Sequence, residues 1–234
     1  MAKVWTSYNG SAIMTAGGYG IGKESDYIAF IGGKKYPTVP MPDGNVWLSV
    51  NLDLVFPGLT VNNPYCYTQS DVMHAAYYDL DESTYGWEGT RDGLLYNWMA
   101  IDYMQQHKDE LFPGWRVITT EFSNLYINVL GGSFQIEGDD TSLDLRSTSG
   151  WHDVQGNPGY NGNGLYGFNL TPSGYTNFTA GFTGIGVYGT LGTASEYSAS
   201  NYTRYLCYGG DRGASGLSTA KSTMTSVRLV RNRI

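Results

Sequence analysis

Charge is scarce in this chain of 234 residues: Asp, Glu, Lys and Arg together make up 15%, against roughly a quarter in ordinary soluble proteins. Basic residues are the scarcer sign, and a net charge of −7 with a pI near 4.8 excludes a nucleic-acid backbone as partner. No apolar run reaches the length of a membrane span, so membrane insertion is not expected. Met1-Ala2-Lys3-Val4-Trp5 lacks the apolar run of a signal peptide, and the expectation is a product made in the cytoplasm. Only two cysteines occur, Cys66 and Cys207, with no CxxC spacing, which excludes a zinc knuckle or a redox pair. Both read as free thiols, a single disulfide being the alternative, because distant cysteines can meet in a fold.

Histidine is also rare. His74, His107 and His152 fall on unrelated segments, and no HExxH or paired-His spacing exists. No metal, cofactor or catalytic group is expected on these grounds, and the chain does not read as an enzyme. Two acidic stretches, Asp79-Leu80-Asp81-Glu82 and Glu137-Gly138-Asp139-Asp140, crowd carboxylates as calcium loops do. Neither follows an EF-hand pattern, and solvated loops explain them equally well.

What is abundant is glycine and tyrosine. The 32 glycines are about twice the usual share and argue for turns and loops rather than helices. Twenty tyrosines and six tryptophans supply large contact area at low entropic cost when they sit in binding loops, although aromatics dominate interiors as well.

The Gly- and Tyr-rich stretch 1–26 suggests a short β-rich attachment arm, or equally an extended tail, and residues 27–234 the main domain. Tyr27 to Ile31 reads as a buried strand stopped by Gly32-Gly33, and Asp43-Gly44 as a hairpin turn into a strand from Val46 to Val50. Leu94, Trp98, Ile101 and Met104, reaching on to Leu111, recur at helical spacing until Pro113-Gly114. A second helix is expected after a threonine cap at Thr119-Thr120, with Phe122, Leu125, Tyr126, Val129 and Leu130 as its buried face and Gly131-Gly132 as its stop. Residues 133–200 read as long loops, with Phe182 to Val187 a short strand candidate. Strands return at Tyr202 to Tyr208 and Ser226 to Arg231. The sum is an α+β domain with two helices, a small twisted antiparallel sheet and long loops.

Five phrases carry a resemblance. They are Gly32-Gly33-Lys34 followed by Trp47-Leu48-Ser49-Val50-Asn51-Leu52; Gly93-Leu94-Leu95-Tyr96-Asn97-Trp98; Gly114-Trp115-Arg116-Val117-Ile118-Thr119-Thr120-Glu121-Phe122; Gly167-Phe168 leading to Pro172-Ser173-Gly174-Tyr175; and Ser226-Val227-Arg228-Leu229-Val230-Arg231. In order and spacing they resemble the Fibrobacter succinogenes major paralogous domain, a family with a C-type-lectin-like fold that overlaps the variable proteins of diversity-generating retroelements and phage tail adhesins. The resemblance spans roughly residues 28–232. Where that family carries a Trp-Ser-Ser-Thr phrase, this chain has Thr190-Leu191-Gly192-Thr193-Ala194-Ser195-Glu196-Tyr197. The calcium-and-sugar phrases Glu-Pro-Asn, Gln-Pro-Asp and Trp-Asn-Asp of C-type lectins are absent, as is the cysteine pair of the related formylglycine-generating enzymes.

The resemblance implies ligand contacts between the Thr190 phrase and the last strand. Residues 189–217 mix rigid aromatic anchors with adaptable polar groups, as paratopes do. The candidate ligand-binding residues are Tyr197, Ser198, Ser200, Asn201, Tyr202, Arg204, Tyr208, Asp211 and Arg212, with Gly209, Gly210, Gly213 and Gly216 turning the backbone between them. On a strand, Tyr202, Arg204, Leu206 and Tyr208 share one face and Thr203, Tyr205 and Cys207 the other; the first is expected to lie nearer the ligand. The implied function is that of a non-enzymatic adhesin on a bacteriophage tail or fibre tip. It would bind a bacterial surface receptor, protein or glycan, and join other virion proteins through the arm. A homotrimer suits that setting, although no coiled-coil heptads occur. A structural virion protein using the same segment for subunit contacts, and a secreted carbohydrate-binding lectin on the bacterial cell surface, are the alternatives.

Overall fold

The computed structural model describes residues 4–8, 11–15, 28–87, 89–90, 92–136, 139–157, 160–210 and 213–233. Strands and helices are numbered in chain order. Within the expected arm, β1 (Val4–Tyr8) and β2 (Ser11–Thr15) pair as an antiparallel hairpin, and the rest of 1–26 lies outside the described residues. The fold that follows is α+β, mostly strand, with a few short helices.

A five-stranded antiparallel sheet forms the base, in the order β3 (Ile28–Ile31), β4 (Lys34–Pro40), β5 (Asn45–Leu48), β16 (Leu229–Asn232), β9 (Arg116–Val117). Its two tight turns require positive φ, which Gly33 at 79° and Gly44 at 81° provide. The first strand is not buried on both sides as expected: Ala29 and Ile31 point inward while Phe30 is 71% exposed, the alternation of a strand with one covered face. A second sheet runs β15 (Thr225–Ser226), β8 (Leu95–Tyr96), β7 (His74–Ala76), β6 (Thr60–Val61), its last pair parallel.

The helices are shorter than the periodicity predicts. After α1 (Glu82–Tyr85), the stripe from Leu94 begins as strand β8, and α2 (Trp98–Gln106) starts only where the Asn97 side chain accepts from the Ala100 N–H. That cap decides the boundary, because Asn97 leaves helical φ/ψ. A separate turn, α3 (Lys108–Leu111), ends before Pro113. The second expected helix is α4 (Glu121–Ser123), which widens into a π-turn over Asn124–Val129. Thr120 makes no side-chain cap there. The Glu121 carboxylate instead accepts from the Thr119 N–H at 2.5 Å and from Arg116 at 2.9 Å. The π-turn also rotates Val129 outward, to 38% exposure, while Phe122, Leu125 and Tyr126 stay buried and Gly131 closes the segment at φ 80°.

The stretch 133–200, expected to be loops, holds α5 (Thr141–Leu145), the hairpin β10 (Ser173–Asn177) with β11 (Gly181–Ile185), and the nine-residue β12 (Tyr188–Glu196). With β13 (Asn201–Tyr208) and β14 (Ala214–Ala220), β12 makes a three-stranded antiparallel sheet. Gly216 lies inside β14 opposite Tyr205, so it is a strand residue and not a turn. The last expected strand, Ser226 to Arg231, splits: Val227 and Arg228 separate β15 from β16.

That interruption positions the main structural tie. Arg228 is fully buried, and its guanidinium donates to Asn51 Oδ1 at 3.0 Å, to the carbonyl of Asn169 at 2.8 Å, and to the carbonyls of Phe168 and Leu48. It also lies over the Phe168 ring, which meets Trp47 edge-on at 5.3 Å. One cation thus joins β5, the segment before β10 and the C-terminal strand, and burial pulls its pKa down to about 9. The five phrases supply these contacts and the pairings Leu229 with Val117, Val230 with Trp47 and Ser226 with Leu95, which makes them framework.

Candidate functional site

The aromatic-polar segment singled out in the sequence forms the β12–β13–β14 sheet, and one face of that sheet opens into a cavity of about 660 Å³, within the size range of small-molecule sites. Three tyrosines wall it. Tyr188 and Tyr208 face each other across the β12–β13 pairing with ring centres 5.0 Å apart, and Tyr175 of β10 meets Tyr188 edge-on at 5.6 Å. Leu206 and Leu217 add apolar surface, and Gln135 stands at the rim.

Arg204 lies among them. It is 9% exposed, and its guanidinium carbon stands 4.2 Å from the centre of the Tyr175 ring, a cation–π contact. Its Nε and Nη1 are buried with no hydrogen-bond partner, and Arg204 has no ion pair among the described residues. Buried donors are almost always satisfied, and a buried cation without an anion costs several kcal/mol. Arg204 also lines the cavity.

The floor is held from beneath by the main chain. Arg146, 1% exposed, donates to the Tyr208 carbonyl, to the Tyr160 carbonyl at 3.2 Å and to Ser142 Oγ at 2.8 Å, and stacks over Trp151. Behind β13, Tyr205 and Cys207 pack into the core with Phe122 and Tyr126, and burial pushes the Cys207 thiol up to about 12. Cys66 is likewise buried and pushed up to about 11, and both cysteines are free thiols.

The nine candidate residues do not share one place. Arg204 and Tyr208 line the cavity. Tyr202, expected to lie near the ligand, is fully buried instead: its ring lies 5.4 Å from Trp98 of α2, and its hydroxyl bonds the Thr223 carbonyl and Thr225 Oγ1, each at 3.0 Å. Its phenol is pushed up to about 12 by burial. β13 pairs with β14 without a register shift from Asn201 to Cys207, so Tyr202 keeps the Arg204 face of its strand, and that end of the face is covered by α2. A bulge lies on the partner strand, between Gly192 and Glu196 of β12. Tyr197, Ser198, Ser200 and Asn201 form the β12–β13 turn at the opposite end of the hairpin, with Tyr197 69% exposed. About six residues of strand, roughly 20 Å, separate that turn from Tyr208. Asp211 and Arg212 lie outside the described residues.

Tyr175 and Tyr188 were missed. Tyr175 stands in a phrase that reads as framework, and Tyr188 lies one residue before the chosen segment; its pairing with Tyr208 across the hairpin is the signal that would have found it.

Two acidic groups outside the cavity have local partners. Asp81 caps α1 through the Thr84 N–H and the Ser83 hydroxyl, and Asp139 accepts from Tyr126 Oη and from the Ser133 and Thr141 N–H groups. Among the described residues no group of three potential ligands comes together to hold a metal. A smaller cavity of about 410 Å³ brings Asp92 and His152 to one hollow. Burial raises the Asp92 pKa, partly offset by the Thr90 and Thr171 hydroxyls on its carboxylate, and His152 Nδ1 bonds the Asp153 carbonyl. No described helix is long and apolar enough to cross a membrane.

Compared with known proteins, the chain matches no family model, no curated protein and no solved structure. The cavity's own chemistry therefore carries the functional reading.

Proposed function

We propose that the chain is a non-enzymatic ligand-binding domain of C-type-lectin-like type, akin to the Fibrobacter paralogous family, which recognises a bacterial surface receptor through the cavity around Arg204. In this reading it is a bacteriophage adhesin, carried at a tail or fibre tip by its N-terminal segment. The carrying observation is the buried, unpartnered guanidinium walled by Tyr175, Tyr188 and Tyr208. Aromatic walls and one oriented charged group are the usual constitution of a recognition pocket. The fold part of the proposal draws support from the five phrases, which meet around Arg228 and in adjacent strands as a shared framework would.

The test is binding of the purified, fluorescently labelled chain to a panel of bacterial strains. Arg204→Gln and Tyr208→Ala should abolish binding to any strain the unaltered chain labels, whereas Tyr197→Ala and Asn201→Ala at the far turn should leave it in place. Cavity variants that keep their melting temperature and label cells like the unaltered chain would remove the cavity from recognition.

A further inference from the structure

Resting on that reading of the cavity, we infer that its ligand is an acidic sugar unit, whose carboxylate reaches Arg204 while its ring stands against the tyrosines. Three features of the site lead there. The first is charge: Arg204 is a nine-tenths buried cation with no anion from the described chain, in a protein whose net charge is −7. Among the described residues lining the cavity Arg204 is the charged side chain, and none is a carboxylate.

The second is the geometry of the cation. Tyr175 covers one face of the guanidinium at 4.2 Å, and the N–H bonds point outward in the plane of the group, so a partner that satisfies them approaches in that plane. A carboxylate is flat and accepts in that plane; a second aromatic ring or a lipid tail would leave the donors unmet.

The third is the shape of the remaining wall. Tyr188 and Tyr208 are tilted 53° to one another, and Leu206 and Leu217 lie beside them. A sugar ring has apolar C–H faces and a rim of hydroxyls, and it matches a wall whose side chains are apolar in body and polar at the tip. A peptide C-terminus would bring the carboxylate but, unless its last residue is aromatic or proline, no ring for the tyrosines.

The experiment uses the full chain and four probes, D-glucuronate, D-galacturonate, D-glucose and N-acetylalanine, titrated by ligand-observed NMR with tyrosine fluorescence as a second readout. At least one uronate should bind ten-fold or more tighter than glucose and N-acetylalanine. Arg204→Gln should weaken the uronate at least ten-fold while leaving glucose unchanged, and Arg204→Lys, which keeps the charge but not the planar donors, should fall between. Tyr202→Phe, outside the cavity, should bind as the unaltered chain does. Glucose binding as tightly as both uronates would overturn the acidic assignment and leave the cavity as a sugar site. N-acetylalanine matching the tighter uronate would overturn the sugar assignment in favour of a peptide terminus. No response to any probe, in a chain whose labelling of bacteria is lost on Arg204→Gln, would refute the acidic sugar alone. The same silence with labelling unaffected by Arg204→Gln would refute the cavity's role altogether.

Discussion

Replacing Arg228 with methionine removes four donated bonds while keeping most of the side chain's bulk. The acceptors, Asn51 Oδ1 and the carbonyls of Leu48, Phe168 and Asn169, stay in the interior without their donor. A hydrogen bond to a charged group contributes about 1.5–3 kcal/mol. The four do not add in full, because they share one donor and the acceptors relax together. Leaving buried partners uncompensated costs about 3–5 kcal/mol, a large part of the 5–15 kcal/mol that typically holds a domain folded. For a chain of this length the melting temperature should fall by roughly 6–20 °C. Urea unfolding followed by tryptophan fluorescence measures the loss directly, since Trp47 stacks within the same cluster as Phe168. A loss below about 1 kcal/mol would refute the view that Arg228 ties the sheet to the segment before β10.

His74 predicts a pH effect. Burial lowers its pKa, with Asp71 opposing in part, so below about pH 6.5 the unfolded chain takes up a proton that the folded chain refuses. Stability should be complete above that pH and decline as the pH falls toward the lower folded value; His74→Gln should flatten the decline between pH 7 and 5.5 in the same urea assay. Asn97 is fully buried and accepts from both Ala100 and His74 while donating to the Val72 carbonyl, so Asn97→Ala should cost about 2–3 kcal/mol in calorimetry. A Cβ at Gly192 would stand 2.3 Å from Thr225 Oγ1 and 2.7 Å from Ile101 Cδ1; Gly192→Ala should therefore destabilise by about 1–3 kcal/mol, read as a shift in urea midpoint. Cys66 and Cys207 should resist an aromatic disulfide reagent at pH 8 and both react once the chain is unfolded, because burial raises both thiols.

Much of the fold was legible where one physical signal acts alone. The Gly33 and Gly44 turns, β13 and the buried face at Phe122, Leu125 and Tyr126 follow from turn chemistry and apolar spacing. Strand β12 was not legible, because its interior reads Gly-Thr-Leu-Gly-Thr-Ala. Its glycines are there to admit Trp151 and Leu170 beside Gly189, and Ile101 and Thr225 beside Gly192. A strand chosen for closeness to its neighbours hides the alternation that would announce it. The helix start at Trp98 was displaced because apolar spacing continues through Leu94, whereas the boundary is set by one Asn97 side chain. The candidate site was legible in composition and in the face of Arg204, Leu206 and Tyr208. Tyr202 was misplaced because alternation gives the face of a residue and not what covers that face, here Trp98 of α2.

Arg228 and Arg146 grip mainly peptide oxygens, and a peptide oxygen is present whatever side chain the residue bears. The hold on Tyr208 from below is thus indifferent to what Tyr208 presents above. The Tyr208 side chain can be exchanged without loosening the anchorage that positions it. Architecture and surface are thus separated at this position, and a substitution there alters what the cavity presents while the framework beneath it stays in place.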